Sequence, residues 1–540
     1  MFRQLILTLT LLISLSLSLS IRFAGSAMAQ QAQATSDDTA QNQEDPTYDL
    51  ERLRPKVKLG SVPAIELGPR EPLTKEKATQ IKACIARLAD IDAPDFGLST
   101  TMSGTAFLPL PNQQHSGAMI LTDHQLKSSA ALKTLVEIGP EALPFLLGAL
   151  GDKTPTKLKL ERGAAMWLAN ELWGNPVNEL EIKVLGPPKD VDEAMNTDKR
   201  IESYTVKIGD VCLVAIGQIV GRGYQAVRYQ PTACIVINSP TEDVTLREQV
   251  RKIWTSDEPA RKLLNTLLLD YATEGVFQGP SLDSWNLGSE LQIQAAMRLL
   301  YFFPKESTAL IAERLRKLDV NKTSARGKGS PATEKELDAS IRREVANGVR
   351  TDEFIKAVSW CRDSKVREAI RAIFTKTGDI DVLLAALPGI DDTDHIRDRL
   401  QCFLDALPME EGGAYGDGHD LLVAMAERLG KNAVPTFTRY LKDASAQRGH
   451  SAAEALRQIK EEWCVPILIR LLNDTRPLDG YTYAIQPDDQ DRRLPMRVCD
   501  AAAESLQVHR PDMRFTLEGE YKDLDEQIKV IREKVVGKRQ

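Results

Sequence analysis

Two short segments combine carboxylates with a histidine at spacings that could bind a metal ion. One, GIDDTDHIRDRL, contains Asp394 and His395, and the other, GGAYGDGHD, contains Asp417 and His419. Carboxylate oxygen and imidazole nitrogen are ordinary ligands of divalent metals. Each segment also lies at the start of a predicted helix, where Asp and Thr cap free N–H groups and acids interact favourably with the helix dipole. The pattern favours helix capping, and a metal site is the alternative.

Arginine and tyrosine side chains are concentrated in GRGYQAVRYQPTACIVINSP, at 221–240. Four of them fall within one short stretch: Arg222, Tyr224, Arg228 and Tyr229. Arginine gives bidentate hydrogen bonds and tyrosine gives a large rigid contact area, so both are common anchors of protein interfaces. The segment therefore predicts a partner-binding site. Tyrosines in the core and arginines paired with nearby acids would produce the same pattern, so that alternative stays open.

A second tyrosine pair, Tyr481 and Tyr483, alternates with polar residues in DGYTYAIQPDDQDRR at 479–493. Alternation with a period of two indicates a strand, and the flanking Gly and Asp residues indicate turns. We therefore expect a small hairpin that projects from one edge of the helical array described below. Its two tyrosines are further candidates for contact with a partner.

Other catalytic and cofactor patterns are absent from the sequence. There is no HExxH or GxSxG segment, and GKGS at 327–330 lacks the earlier glycine and preceding strand of a phosphate-binding loop. The seven cysteines are widely spaced, with no CxxC pair, so neither a zinc ribbon nor covalent haem is indicated. We expect most of them to be buried free thiols, because they fall on apolar stripes. The alternative is a disulfide, with Cys212–Cys234 and Cys464–Cys499 as the candidate pairs. No cofactor is predicted.

The elements that position these residues are clearest at 449–474, GHSAAEALRQIKEEWCVPILIRLLND. Ala452, Ala453 and Leu456 recur at helical spacing, which predicts one amphipathic helix. A second helix follows, with Pro466 near its start, where a missing N–H costs little. Such a pair has more apolar surface than it can bury alone, so it needs neighbouring pairs. Similar units occur at 128–152, 291–319 and 419–443.

These units resemble HEAT repeats, including the bacterial subset known as lyase-type HEAT-like repeats. The best match, 448–474, has an Arg before the first helix, Ala-Ala-x-x-Leu within it, Val-Pro at the second helix and a final Asp. The resemblance implies that such Arg and Asp residues bond across turns and between neighbouring repeats, which is a structural role. Positions of this kind are Asp152, Asp443, Asp474, Arg448 and Arg497.

Resemblance and periodicity together predict a mainly α fold: a HEAT-like α-solenoid with loop and small β-hairpin insertions. Within the insertion, 177–186 and 200–209 are expected to pair as a hairpin, and 210–220 to form a buried helix. The predicted divisions are a signal peptide (1–29), a disordered leader (30–47), an N-terminal helical cap region with a Gly/Ser/Pro-rich loop (48–127), a first solenoid half (128–320) with an insertion (177–240), a polar linker (321–336), a second solenoid half (337–510) and a charged C-terminal helix (511–540).

The N-terminus has the pattern of a secretory signal peptide. Arg3 precedes an apolar stretch from Leu5 to Ile21, and Ala27-Met28-Ala29 fits a small-residue cleavage site that leaves Gln30 first. An uncleaved membrane anchor is the alternative. No other stretch approaches the ~18 apolar residues of a membrane-spanning helix. The protein is therefore expected to be periplasmic or secreted, cleaved near Ala29 and without a membrane span.

Charge and fold class together indicate the kind of partner. Removal of the first 29 residues leaves 67 Lys and Arg against 76 Asp and Glu, a net charge of −9. This mixed, mildly acidic composition argues against nucleic-acid binding, which needs a basic face. Another protein is the expected partner, and a protein-binding scaffold is the leading hypothesis. The alternatives are a hydrolase or metal-binding protein that uses the acidic-His segments, the pigment attachment that the lyase-type resemblance implies, and a structural envelope component.

Overall fold

The computed structural model describes most of the chain beyond residue 57, and these residues belong to one compact unit, Pro55–Gln540. The predicted signal peptide, leader and polar linker lie outside the described residues, so their predictions stay untested. The described ranges are 58–93, 107–110, 129–161, 166–169, 178, 181, 183–184, 199–229, 234–274, 291–318, 320, 351–407, 416–442, 444–486 and 489–537.

Helices dominate the described ranges, and short strands interrupt them. The helices are α1 (Lys75–Arg87), α2 (Ala130–Ile138), α3 (Leu143–Ala149), α4 (Ile208–Val220), α5 (Val244–Trp254), α6 (Pro259–Ala272), α7 (Leu291–Phe302), α8 (Pro304–Lys317), α9 (Thr351–Val358), α10 (Ser364–Lys376), α11 (Ile380–Ala386), α12 (Thr393–Ala406), α13 (Asp417–Leu429), α14 (Val434–Tyr440), α15 (Ala446–Gln458), α16 (Val465–Leu471), α17 (Val498–His509) and α18 (Tyr521–Gly537). The strands are β1 (Lys58–Leu59), β2 (Pro155–Leu160), β3 (Met166–Ala169), β4 (Lys199–Ile201), β5 (Tyr204–Lys207), β6 (Val227–Tyr229), β7 (Ile235–Asn238), β8 (Thr273–Glu274), β9 (Pro477–Gln486) and β10 (Asp489–Arg497).

The helix pair predicted at 449–474 is present as α15 and α16. Ser445 begins α15, because its side-chain oxygen accepts a hydrogen bond from the Arg448 N–H at 3.2 Å, satisfying one of the free donors of the first turn. Pro466 lies in the first turn of α16, where no N–H donor is needed. Ala452, Ala453 and Leu456 are buried, as the periodicity predicts.

One row of helices extends through the second part of the chain. Helix α7 packs against α9, α9 against α11, α11 against α13, α13 against α15, and α15 against α17. Each of these helices therefore contacts the helix two positions further along the chain, with a connecting helix between them. This regular stacking of neighbours is the arrangement of a solenoid. The prediction of a mainly α, solenoid-like fold with small sheets is confirmed.

Arginine side chains donate hydrogen bonds to main-chain carbonyls of the array, most of them at the C-terminal end of a helix. The last carbonyls of a helix have no intrahelical donor and carry the negative end of its dipole, so a guanidinium satisfies both requirements. The hydrogen bonds run from Arg70 to the carbonyl of Phe302 (2.6 Å), Arg251 to Leu147 (3.1 Å), Arg298 to Gln218 (2.8 Å), Arg399 to Thr377 (2.6 Å), Arg428 to Ile390, Arg448 to Leu407 (2.7 Å), Arg476 to Ala444 (2.7 Å) and Arg532 to Leu472.

Two β-ribbons are inserted at equivalent places in the array. Strands β2 and β5 form an antiparallel pair between α3 and α4, and β9 and β10 form one between α16 and α17. After each ribbon the chain enters its next helix through the same backbone contact. The Gly209 N–H donates to the Asp152 carbonyl at 3.0 Å, and the Cys499 N–H donates to the Asp474 carbonyl at 2.8 Å. Asp152 and Asp474 thus occupy corresponding positions, as the sequence pattern predicts.

The first insertion differs from the predicted hairpin of 177–186 with 200–209. Glu181, Lys183 and Val184 are helical, and the partner of β5 is β2, which lies before the predicted boundary at 177. A four-stranded sheet of order β4-β3-β7-β6 was also missed. Strand propensity was misleading here because tertiary contacts decide which apolar segments pair. Helix α4 at 208–220 is almost wholly buried, which confirms the prediction for 210–220.

Apolar side chains from outside the helix row pack against it. In the predicted Gly/Ser/Pro-rich loop, Phe107 is fully buried and packs edge-on against Tyr301 of α7, with ring centroids 5.2 Å apart. Helix α18 buries Leu524, Ile528 and Ile531 and packs against α17. Among the described ranges, no helix combines the length and apolarity needed to cross a membrane.

Truncation of one buried leucine in α16 should weaken only part of the array. Leu471→Ala is expected to lower the free energy of unfolding by ~2–5 kcal/mol, because it leaves a cavity between neighbouring helices. Since solenoid stability is a sum of local terms, calorimetry should show the protein melting in parts. The matched control is Val530→Ala, at a side chain that is 40% exposed. A single cooperative transition, unchanged from wild type, would contradict this expectation.

Candidate functional site

The strongest concentration of buried charge lies around Arg222, the first of the predicted partner-binding residues. Its guanidinium donates to both oxygens of Glu181 at 3.0 Å, and to the two oxygens of Asp270 at 2.8 and 3.0 Å. Asn178 also donates to Asp270, at 2.9 Å. The side chains of Arg222, Glu181 and Asp270 are 0%, 2% and 1% exposed. We call Arg222, Glu181, Asp270 and Asn178 the buried ion cluster.

Burial and the charges within the cluster shift the pKa values of its members. Burial alone would lower the pKa of Arg222, but Asp270 and Glu181 outweigh it and raise that pKa well above its usual value. Burial raises the pKa of Glu181 in spite of the adjacent guanidinium. Arg298, on α7, has no carboxylate partner among the described residues, and burial and then Arg222 lower its pKa to about 9. The cluster holds Arg222 charged in the interior.

Two glycines allow the chain to place Arg222 there. Helix α4 ends at Gly221, whose φ of 77° lies in the left-handed region that favours glycine. The chain then returns closely over the helix, because a Cβ at Gly217 would lie 2.6 Å from the Arg222 carbonyl oxygen. Tyr224 follows in the core, and its hydroxyl accepts a hydrogen bond from Trp254 Nε1 at 3.0 Å. The turn thus delivers Arg222 and Tyr224 inward.

The predicted exposure of the Arg/Tyr segment is therefore wrong for Arg222 and Tyr224, because buried carboxylates and Trp254 draw both side chains into the core. The alternative of core tyrosine and acid-paired arginine describes them correctly. Arg228 is half-buried on β6, and Tyr229 ends that strand, with its side chain outside the described part of the structure. The structure does not bring these four residues together as one exposed surface. Their role in partner binding stays a prediction.

The second tyrosine pair lies on the predicted hairpin, which is present as β9 and β10. Tyr483 is buried, and its hydroxyl donates to the Gly519 carbonyl at 3.2 Å. Tyr481 is half-buried and contacts the ring of His450 on α15, with centroids 4.5 Å apart. The hairpin therefore packs against its neighbours rather than projecting freely. Tyr483 does not face the surface, and Tyr481 offers only part of its ring to a partner.

The first acidic-His segment forms a surface ion-pair network. Asp392 caps α12 by accepting from the His395 N–H at 3.1 Å, which confirms the capping interpretation. Asp394 accepts from Arg397 at 2.8 Å, and His395 Nε2 lies 3.1 Å from the Thr375 hydroxyl. The other carboxylates are paired in the same way: Asp391 with Arg362 and Arg367, Asp392 with Arg371, and Asp398 with Arg397.

The second acidic-His segment begins α13, and its Asp417 and His419 side chains lie in different environments. Gly416 is the N-cap, and Asp417 lies in the first turn. His419 is buried, with Nδ1 3.0 Å from Asp420 Oδ1 and Nε2 3.0 Å from the Gln458 side-chain nitrogen. Across the described ranges, no group of three or more His, Cys, Asp or Glu side chains is arranged to hold a metal. The metal alternative gains no support from this geometry, since arginines occupy the carboxylates of the first segment.

The predicted repeat residues mostly have structural partners. Arg448 donates to the Leu407 carbonyl of the preceding helical unit and lies over the Tyr440 ring at 4.9 Å. Arg497 forms a buried ion pair with Asp500 at 2.9 Å and a second one with Asp525 at 2.8 Å. Asp474 Oδ1 accepts a hydrogen bond from Arg476 Nε at 2.8 Å. Asp152 accepts from the Thr154 N–H at 2.9 Å. Asp443 lies outside the described residues.

An apolar groove opens between α3 and the α5–α6 junction. Its volume is about 270 Å³. Arg251 lies at the side of the groove, and its guanidinium donates one hydrogen bond to the Leu147 carbonyl. A Cβ at Gly148 would meet no atom within 4 Å, which shows open space above that position. The lining residues are Leu143, Pro144, Leu147, Gly148, Arg251, Trp254, Thr255, Ser256 and Pro259.

Sequence reasoning missed the carboxylates of the buried ion cluster and the groove. Glu181 and Asp270 are 41 and 48 positions from Arg222, and no local pattern connects such distant residues. One usable signal was Asp270 itself, an acid within the apolar run LLNTLLLDYA of α6. A buried acid needs a partner, and an arginine in another apolar stretch is the expected one. Cys84, Cys212, Cys361, Cys464 and Cys499 are buried free thiols, as predicted.

Comparison with known proteins supports the repeat interpretation over a short part of the chain. The family model for the PBS lyase HEAT-like repeat matches residues 450–474, which cover α15 from its fifth residue, all of α16 and the three residues after it. No curated protein and no solved structure matches the chain at a significant level. This match supports a HEAT-like repeat in the chain. Repeats of this type often mediate protein interaction.

Replacing the central arginine should destabilise the first half strongly. Arg222→Met is expected to lower the free energy of unfolding by ~3–5 kcal/mol, because it leaves Glu181 and Asp270 as unpaired buried carboxylates. Urea denaturation measures the change. The matched control is Arg397→Met, which removes an exposed ion pair on α12 and should barely move the midpoint. Equal midpoints for the two variants would contradict the assignment of Arg222 as a buried structural cation.

Proposed function

We propose that this chain is an exported HEAT-like array that binds another protein. The observation that carries the proposal is the row of stacked helices from α7 to α17, which includes the repeat matched at 450–474. Stacked helix pairs offer an extended surface built from many repeats, and such surfaces recognise macromolecules.

The apolar groove between α3 and the α5–α6 junction is the contact site that we propose for the partner. Leu143, Leu147 and Trp254 supply apolar walls, and Arg251 supplies one cation at the side. A mostly apolar concave site with a few polar groups suits the apolar side chains of a protein segment. Its size of about 270 Å³ accommodates one or two such side chains rather than a whole domain. We therefore expect a short apolar segment of the partner to bind here.

Export is part of the proposal because a protein partner must be in the same compartment. It is supported by the apolar stretch from Leu5 to Ile21 and the small residues Ala27 and Ala29. An exported scaffold would meet its partners in the envelope or outside the cell. A structural envelope component would instead self-associate, which the purified protein would reveal by its size in solution.

Filling the groove should abolish partner binding without loss of stability. In Gly148→Arg the new side chain enters open space, so the fold is retained while the partner is excluded. Gly148→Ala is the matched control, and it should bind normally and gain up to about 1 kcal/mol of helix stability. The measurement is affinity capture from an envelope extract with thermal melting of each variant. Equal capture by the Arg and Ala variants would exclude the groove as the contact site.

Cleavage of the N-terminus should also be measurable. When the whole chain is expressed in a bacterium with a general secretory pathway, the exported form is expected to begin at Gln30, as read from its intact mass. Ala29→Arg should block cleavage because the processing site requires a small side chain. An exported wild-type chain that retains residues 1–29 would support the membrane-anchor alternative.

A further inference from the structure

His450 occupies an unusual place in the matched repeat. The residue is only 2% exposed, and among the described residues its Nδ1 atom has no hydrogen-bond partner. The edge-to-face contact with Tyr481, 4.5 Å between centroids, connects it to strand β9. Through that contact α15 holds one face of the β9–β10 ribbon. A buried imidazole whose Nδ1 has no acceptor is destabilised when it becomes protonated, because the added N–H and charge are not compensated.

The charged and titratable groups on the elements packed against His450 provide no stabilising anion for it. From α13 the group that acts on it is His419, whose own Nδ1 faces Asp420. From β9 it is the neutral Tyr481. Three neighbouring carboxylates are paired with arginines: Asp474 with Arg476 after α16, Asp500 with Arg497 at the start of α17, and Glu454 of α15 itself with Arg457. Glu504 on α17 is partly buried, and burial raises its pKa.

We propose that the His450–Tyr481 contact is an acid-sensitive contact that releases the β9–β10 ribbon when the imidazole becomes protonated. Protonation puts a positive charge into a buried site beside a second histidine, and in the described part of the structure no carboxylate forms an ion pair with this imidazole. Moving Tyr481 away would open that side of the pocket and so relieve the unfavourable burial of the charge. Opening exposes the imidazole to water and frees the ribbon, while Leu456 and Leu468 keep the helices α15 and α16 packed.

The direction of the pH dependence follows from burial. Burial, and then His419, lower the pKa of His450 from 6.5 to about 4 in the folded protein. The closed state therefore binds fewer protons than the open state between these values. The contact is fully stable above the open-state pKa of about 6.5, weakens as the pH falls, and stops weakening below about 4. An exported protein meets this range when its surroundings become acidic.

Hydrogen–deuterium exchange of the whole chain tests the proposal. Peptides covering 477–497 should lose protection by about tenfold or more between pH 7 and pH 5, after correction for the intrinsic exchange rate. The β2–β5 ribbon is the internal control, because it occupies the equivalent insertion and neither of the histidine ring contacts in the described ranges involves it. Its protection should not change. In His450→Gln, whose side chain carries no titrating charge, the β9–β10 ribbon should keep its protection at both pH values.

Three results would overturn the proposal or provide a second test of it. Unchanged protection of 477–497 in wild type, or the same acid-induced loss in His450→Gln, would overturn the proposal. If His450→Gln does not fold, Tyr481→Leu provides the second test: it should give a ribbon that is open at pH 7 and insensitive to acid. Equal loss from both ribbons would indicate general acid unfolding and would also overturn the proposal.

Discussion

The stacking of helices depends on hydrogen bonds from arginines to the ends of neighbouring helices. A helix end that neighbouring elements cover loses water from its last carbonyls, and these groups need other donors. Arg399 and Arg448 each reach across to such a carbonyl, that of Thr377 at 2.6 Å and that of Leu407 at 2.7 Å. Their long stems also cover apolar surface, as where Arg448 lies over the Tyr440 ring. The same residue type thus satisfies the backbone and fixes the spacing between units.

The two β-ribbons show how the array accepts insertions without losing its register. Each ribbon leaves after a second helix and returns through a residue that begins the next first helix. Lys207 and Arg497 hold those N-cap positions, and Asp210 and Asp500 accept from their backbone N–H groups at 2.9 Å. Both carboxylates are fully buried. Because the entry to the next helix is fixed in this way, the ribbon beyond it is free to vary in length and contacts.

The repeat at 449–474 could be predicted because its signals are local: apolar residues at helical spacing and a proline at the start of the second helix. The hairpin at β9 and β10 was likewise predictable from alternation. The placement of Arg222 was not, because an arginine between glycines suits a surface loop as well as a buried ion pair. Only Glu181 and Asp270, brought close by folding, distinguish the two. The groove also eluded prediction, since it results from the separation of α3 from α5 rather than from any sequence pattern.

The partner-binding site predicted from residue type, the Arg/Tyr segment, therefore differs from the groove that the structure contains. Arginine and tyrosine next to glycine indicated contact chemistry, yet Arg222 and Tyr224 are interior residues that stabilise the first half. The groove beside them is lined mainly by aliphatic and small residues, which carry little functional signal in a sequence. Trp254 links the two, because it lines the groove and donates to Tyr224. A change in the buried ion cluster would therefore reach the groove wall through one residue.

Photo-crosslinking from position 148 tests the central claim, that the groove receives a segment of a partner protein, most directly. A photoreactive amino acid at Gly148 enters open space, and the same group at exposed Val530 on α18 serves as the control. The account predicts one crosslinked protein from an envelope extract at position 148 and none at 530. No crosslink at 148, or the same proteins from both positions, would contradict it.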